Sequence, residues 1–145
     1  MRHAPADAVV AALQQALAGE HAAIYAYTVI GGRLDGDTAV VQQAIDSYAE
    51  HRTHRDALSE MLLARRESPV PTEPGYALPS PIEGPASARA LARHVEDRCS
   101  VLHAAVVATA TDDERRLGAG ALVACAERAM RWGASATAFP GVGRA

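Results

Sequence analysis

The sequence predicts an all-α fold, an antiparallel four-helix bundle, and three observations carry that reading. Of the 145 residues 33 are alanine and only six are aromatic, so the core has to be built by close approach of small side chains. Helices suit this, because alanine is the strongest helix former and a poor strand former. Four segments of about 25 to 30 residues repeat apolar residues at three- and four-residue steps. The breaks between them hold turn chemistry: Gly31-Gly32 with Asp35-Gly36-Asp37, a proline-rich stretch over residues 68–85, and Thr111-Asp112-Asp113. A chain of this length forms one domain, taken as residues 1–145.

The first helix, residues 7 to about 34, aligns Val10, Leu13, Leu17, Ile24 and Tyr27 on one face. The second, residues 37 to about 66, does the same with Val41, Ile45, Tyr48, Leu58 and Leu62. The third, residues 87 to about 110, opens on Ser87 as its N-cap and aligns Leu91, Val95, Leu102 and Val106. The fourth, residues 112 to about 138, is alanine-rich nearly all round, with Leu117, Leu122, Cys125 and Trp132 as its larger apolar residues. Asp113 and Glu114 suit its positive end and Arg131 its negative end. Phe139-Pro140-Gly141 stops it, and a loose tail follows.

Connection lengths set the topology. The first and third breaks are short, so helices 1 and 2 form one antiparallel hairpin and helices 3 and 4 another. The middle connection, about 18 residues with six prolines, reaches about 55 Å when extended, more than the roughly 40 Å of each helix. It therefore crosses back along the bundle, packing through Tyr76, Leu78 and Ile82, and leaves helix 3 parallel to helix 2.

A formal charge of −3 with both signs interspersed offers no field for a phosphate backbone, which excludes a nucleic-acid role. All 14 basic residues are arginine. Two cysteines make no disulfide framework and point to a reduced, cytoplasmic protein. Asp7, Gln14 and Gln15 interrupt the N-terminal apolar run, against an export signal, and no run of about 18 apolar residues provides a membrane span.

Polar residues gather at one level. Counting equally from the first turn puts Glu20 opposite His51, and counting from the third puts Glu96 level with Glu127, so every helix carries an ionisable residue near the midplane. Tyr27 and Tyr48 lie within one or two turns of it. This pattern resembles the ferritin-like superfamily. More closely, residues 20–25 (EHAAIY), residues 50–56 (EHRTHRD), the Tyr76-Ala77-Leu78-Pro79-Ser80-Pro81 linker and Arg131-Trp132 are similar to an uncharacterised ferritin-like family of actinobacteria, over nearly the whole chain. The resemblance implies the fold and no particular activity.

Metal-binding ferritin-like proteins use one glutamate from each of two helices and a Glu-x-x-His pair from each of the others. No Glu-x-x-His occurs here: Thr53 follows Glu50 and Met130 follows Glu127 at that spacing. On a wheel of about 100° per residue, Glu20, His51 and Arg55 point to the core, whereas Glu50, Glu96 and Glu127 point away. The middle is therefore expected to be an ion-pair cluster in which Glu20 accepts from Arg55 and His51, completed by Tyr27 and Tyr48 with Arg98 or Arg128. Glu96, Cys99 and His103 share a flank of helix 3 but make no expected metal site. Cys99 and Cys125 lie at matching depth, yet helix axes about 8 to 10 Å apart exceed the reach of a disulfide, leaving two buried thiols.

No catalytic residue, cofactor or metal is expected. The chain reads as a structural or interaction protein, a homodimer through the alanine-rich face of helix 4. The alternative is a di-iron or di-manganese type oxidoreductase whose ligands would be Glu20, His51, Glu96 and Glu127. A third possibility is a small-molecule cavity beside Glu20 and Arg55. Glu20→Ala should strand positive charge in the interior and cost on the order of 3 kcal/mol, and an unchanged melting temperature would place Glu20 at the surface.

Overall fold

Four helices and, among the described residues, no strand make up the computed structural model, which describes residues 5–142: α1 (Ala6–Arg33), α2 (Thr38–Ala64), α3 (Pro85–Thr109) and α4 (Asp112–Arg131). Residues 1–4 and 143–145, with the outer part of the expected C-terminal tail, lie outside that description.

Helix ends trace to single residues. The Asp37 carboxylate accepts the Val40 backbone N–H at 3.1 Å and caps α2. Helix α3 starts ahead of the expected Ser87, because Pro85 occupies the first helical position, where its missing N–H is not needed. Ser87 serves from inside the first turn instead, its hydroxyl accepting from the backbone N–H groups of Glu83 at 2.8 Å and Gly84 at 3.1 Å. Helix α4 stops at Arg131, well short of the expected 138. Gly133 adopts a left-handed φ of +97°, its N–H bonds to Met130 O, and the Ala134 N–H bonds to Ala129 O, each at 2.9 Å. This reversal satisfies the terminal carbonyls and outweighs the helix propensity of the alanines beyond.

Side-chain pairs fix the helix directions. Tyr27 meets Glu96 and Glu20 meets His103, so α1 and α3 run antiparallel. Ser47 meets Trp132, Glu50 meets Arg128, and Arg65 forms an ion pair with Glu114, so α2 and α4 run antiparallel as well. With α1 and α2 joined by a tight turn, α2 and α3 point the same way. The segment between them follows α1: the Gln14 amide donates to Ser68 O at 2.7 Å and accepts from Val70 N at 2.8 Å, His21 Nε2 lies 3.0 Å from Val70 O, and Leu78 and Ile82 pack on the core. Helices α1 and α3 approach closely at Gly19, where a Cβ would stand 2.3 Å from Leu102 Cδ1.

The core falls into two apolar clusters. One holds Leu13, Leu17, Leu58, Leu62 and Val106; the other holds Tyr27, Ile30, Val40, Leu91 and Trp132. Over its first half the buried face of α2 is rotated from the expected one, with Val40, Ala44 and Ser47 inside, Ile45 52% exposed and Tyr48 half-buried, whereas His51, Leu58 and Leu62 are buried as expected. Small and polar residues occupy the inner face there, so the largest apolar side chains do not mark it. Trp132 anchors the second cluster, stacked on Tyr27 with centroids 5.8 Å apart and donating Nε1–H to Ser47 Oγ at 3.2 Å. Trp132→Ala should lose about 3 to 5 kcal/mol of stability, measured as the fall in unfolding free energy by urea denaturation.

Candidate functional site

Between the two apolar clusters lies a buried layer of ionisable side chains. Glu20 of α1, His51 of α2, Glu96 of α3 and Arg128 of α4 are each wholly buried. His51 stands between the two carboxylates, with Nδ1 2.6 Å from Glu20 Oε2 and Nε2 2.9 Å from Glu96 Oε1. Both neighbours are acceptors, so both ring nitrogens carry protons and His51 is an imidazolium. Arg128 Nε donates to both oxygens of Glu96 at 3.1 Å, and Tyr27 donates to Glu96 Oε1 at 2.5 Å. His103 Nε2 donates to Glu20 Oε1 at 2.6 Å.

Charge balances inside this layer. Two carboxylates face one imidazolium and one guanidinium, and every carboxylate oxygen has a donor, which is the condition for tolerating buried charge. Burial alone would raise the pKa of Glu20, but the hydrogen bonds from His103 and His51 outweigh it and hold the carboxyl well below the usual range. Burial likewise works to discharge His51, and its bonds to Glu20 and Glu96 overcome that, pushing its pKa up to about 10. His54, only 15% exposed and 3.9 Å from Glu20 Oε1, has no such bond, and burial takes it down to about 4. Burial and the Glu96 charge push the Tyr27 hydroxyl up.

Several expected members sit elsewhere. Arg55 is half-buried and turned to its neighbour Asp56, its NH2 2.7 Å from Oδ1, because the nearer imidazole of His103 fills its expected place at Glu20. Tyr48 lies at the edge of the layer under Arg52, 5.7 Å from ring centroid to guanidinium carbon. Glu96, expected to point outward, is central: α3 packs against both α1 and α4, so its buried arc takes in Ala92, Glu96, Ser100 and His103 as well as the large apolar residues. Arg98 is exposed, whereas Arg128 is in the layer. Glu127 is exposed, and Glu50 is half-exposed at the rim, bonded to Arg128 at 2.6 Å and Arg131 at 3.0 Å. Cys99 and Cys125 are free, buried thiols.

Two metal ions do not fit this donor set. Glu127 is outside, Glu96 and Glu50 are engaged by Arg128, and His51 is protonated on both nitrogens. Among the described residues, the ligand atoms of Glu20, His51 and His54 are the one trio lying within 4.8 Å of one another. His54 Nδ1 and His103 Nδ1 are buried without a hydrogen-bond partner. His54 and His103 carry a legible signal in the sequence: His54 stands one turn beyond His51, and Glu96, Cys99, Ser100 and His103 fall at helical steps along one polar stripe.

Residues 12–144 match the family described as Domain of unknown function (DUF4439), and the chain belongs to that family. It is similar to the crystal structure of a conserved hypothetical protein, rv2844, from Mycobacterium tuberculosis, with 35% identity, a TM-score of 0.85, and coverage of 89% of this chain and 97% of that one. No curated protein matches the chain.

Opposed titrations give the layer a pH signature. His51, raised above its ordinary 6.5, contributes stability that is complete below about 6.5 and lost as pH rises through about 10. His54, lowered, contributes stability present above 6.5 and lost as pH falls toward about 4. Unfolding free energy should therefore peak near pH 6.5, and His54→Gln should flatten the limb between 6.5 and 4 while leaving the alkaline limb in place. Equal acid slopes in the two proteins by urea denaturation would contradict this.

Proposed function

We propose that this protein is a ferritin-like four-helix bundle, with the segment between α2 and α3 as its long proline-rich crossover, that works without a di-metal centre as a structural or interaction protein. One observation carries the reading: the two interior carboxylates already have their counter-charges, His51 and Arg128, supplied by the chain itself. Cations held this way leave no unpaired carboxylate oxygen for a metal to displace cheaply. The antiparallel pairs and the path of the linker along α1 support the ferritin-like arrangement.

The interaction surface in this reading is the outer face of α3 and α4 with the tail beyond them. Val101, Val123, Met130, Phe139 and Val142 are each at least half exposed there, and four of them line one shallow groove. A second copy of the chain is the proposed occupant, in keeping with the exposed Val123 and Met130 on an alanine-rich helix.

A second reading, a single-metal site on Glu20, His51 and His54, is favoured by the convergence of those three side chains and the unpartnered nitrogen of His54. It requires loss of the His51 proton.

Elemental analysis of untagged protein purified without chelators separates the readings, with iron, manganese and zinc expected far below one per chain. Near-stoichiometric metal that disappears in Glu20→Ala would overturn the metal-free assignment. Light scattering should give twice the chain mass, and Val101→Glu with Met130→Glu should halve it; a monomeric wild-type protein would overturn the proposed interface.

A further inference from the structure

Linker residues 76–79 stand over a cavity of about 340 Å³ between α1 and α3, within the size range of small-molecule sites. Ala22, Ala23 and Ala26 of α1 leave the space by their small size, and Leu91 and Val95 of α3 give it apolar walls. The roof is tied down: the Tyr76 ring packs on Tyr25 with centroids 5.7 Å apart, its hydroxyl accepts the Glu73 N–H at 2.9 Å, and Leu78 packs on the core. None of Glu20, His51, Glu96 and Arg128 lines it, so it is separate from the ionic layer.

Charge distinguishes this cavity from an ordinary packing gap. No carboxylate lines it, while His94 and Arg98, one turn apart on α3, do. Both are exposed, and among the described residues neither has an ion-pair partner, in a chain whose formal charge is −3. An apolar chamber edged by an available guanidinium fits a molecule with an apolar body and one carboxylate, which the planar fork of arginine engages bidentately. We propose that the cavity binds a small apolar carboxylic acid, its body under the linker between α1 and α3 and its carboxylate on Arg98 beside His94. This goes beyond the structural role, since it gives the bundle a ligand.

Calorimetric titration of the full chain with octanoate, and in parallel with the uncharged octanamide, tests this. Octanoate should saturate at one per chain and bind at least about tenfold more tightly than octanamide. Arg98→Glu, an exposed substitution that leaves the core untouched, should weaken octanoate at least about tenfold and leave octanamide unchanged. Ala22→Phe, filling the chamber, should abolish binding of both in protein whose helical circular dichroism is intact. Absence of saturable octanoate binding, equal affinity for acid and amide, or wild-type affinity in Arg98→Glu would each overturn the proposal. Should Ala22→Phe fail to fold, the acid–amide comparison and Arg98→Glu still decide it.

Discussion

Two carboxylates that cannot reach water govern the middle of this bundle. Glu20 and Glu96 are both wholly buried, and an ionised carboxylate in such a place costs far more than the whole stability of a small domain unless it is paired and hydrogen-bonded. The demand is met by one residue from each of the other two helices, His51 from α2 and Arg128 from α4. All four helices are thereby held at one level, and the two apolar clusters pack on either side of it.

The α2–α4 seam shows how far this reaches. These two helices approach each other least of the four neighbouring pairs, and long side chains span the gap. Arg128 joins Glu96 inside to Glu50 at the rim, Arg131 adds to Glu50, Arg65 pairs with Glu114 and Trp132 reaches Ser47. Elsewhere the bundle relies on small residues in close contact, as at Gly19 against Leu102. An alanine-rich composition therefore coexists with long polar side chains that also bridge the one pair of neighbouring helices whose backbones stay apart.

Much of this is legible in the sequence. Four periodic segments and their connection lengths gave the helices, and counting back from the first turn put Glu20 opposite His51, which meet at 2.6 Å. Glu96, His103 and Arg128 were harder to read, because the helical wheel was centred on large apolar residues. A helix touching two neighbours buries a broad arc, and in α3 more than half of that arc is alanine, serine, glutamate and histidine, which carry no large apolar side chain to mark it. Arg55 was misplaced for the opposite reason: its position faces inward, but a flexible side chain beside Asp56 takes the solvated partner. The end of α4 was misjudged because alanines beyond Gly133 favour helix locally, while the left-handed glycine closes the chain back on itself.

A guanidinium and an imidazolium as interior counter-ions have a consequence for supply. A dissociable cation must be acquired from solution, in competition with every other site and at whatever concentration the surroundings allow. Arg128 carries its charge at every accessible pH and His51 needs only a proton, which it holds until about pH 10, so neither dilution nor a chelator removes these counter-charges. The charge balance of the interior needs nothing but the polypeptide and the proton that His51 retains as the helices meet.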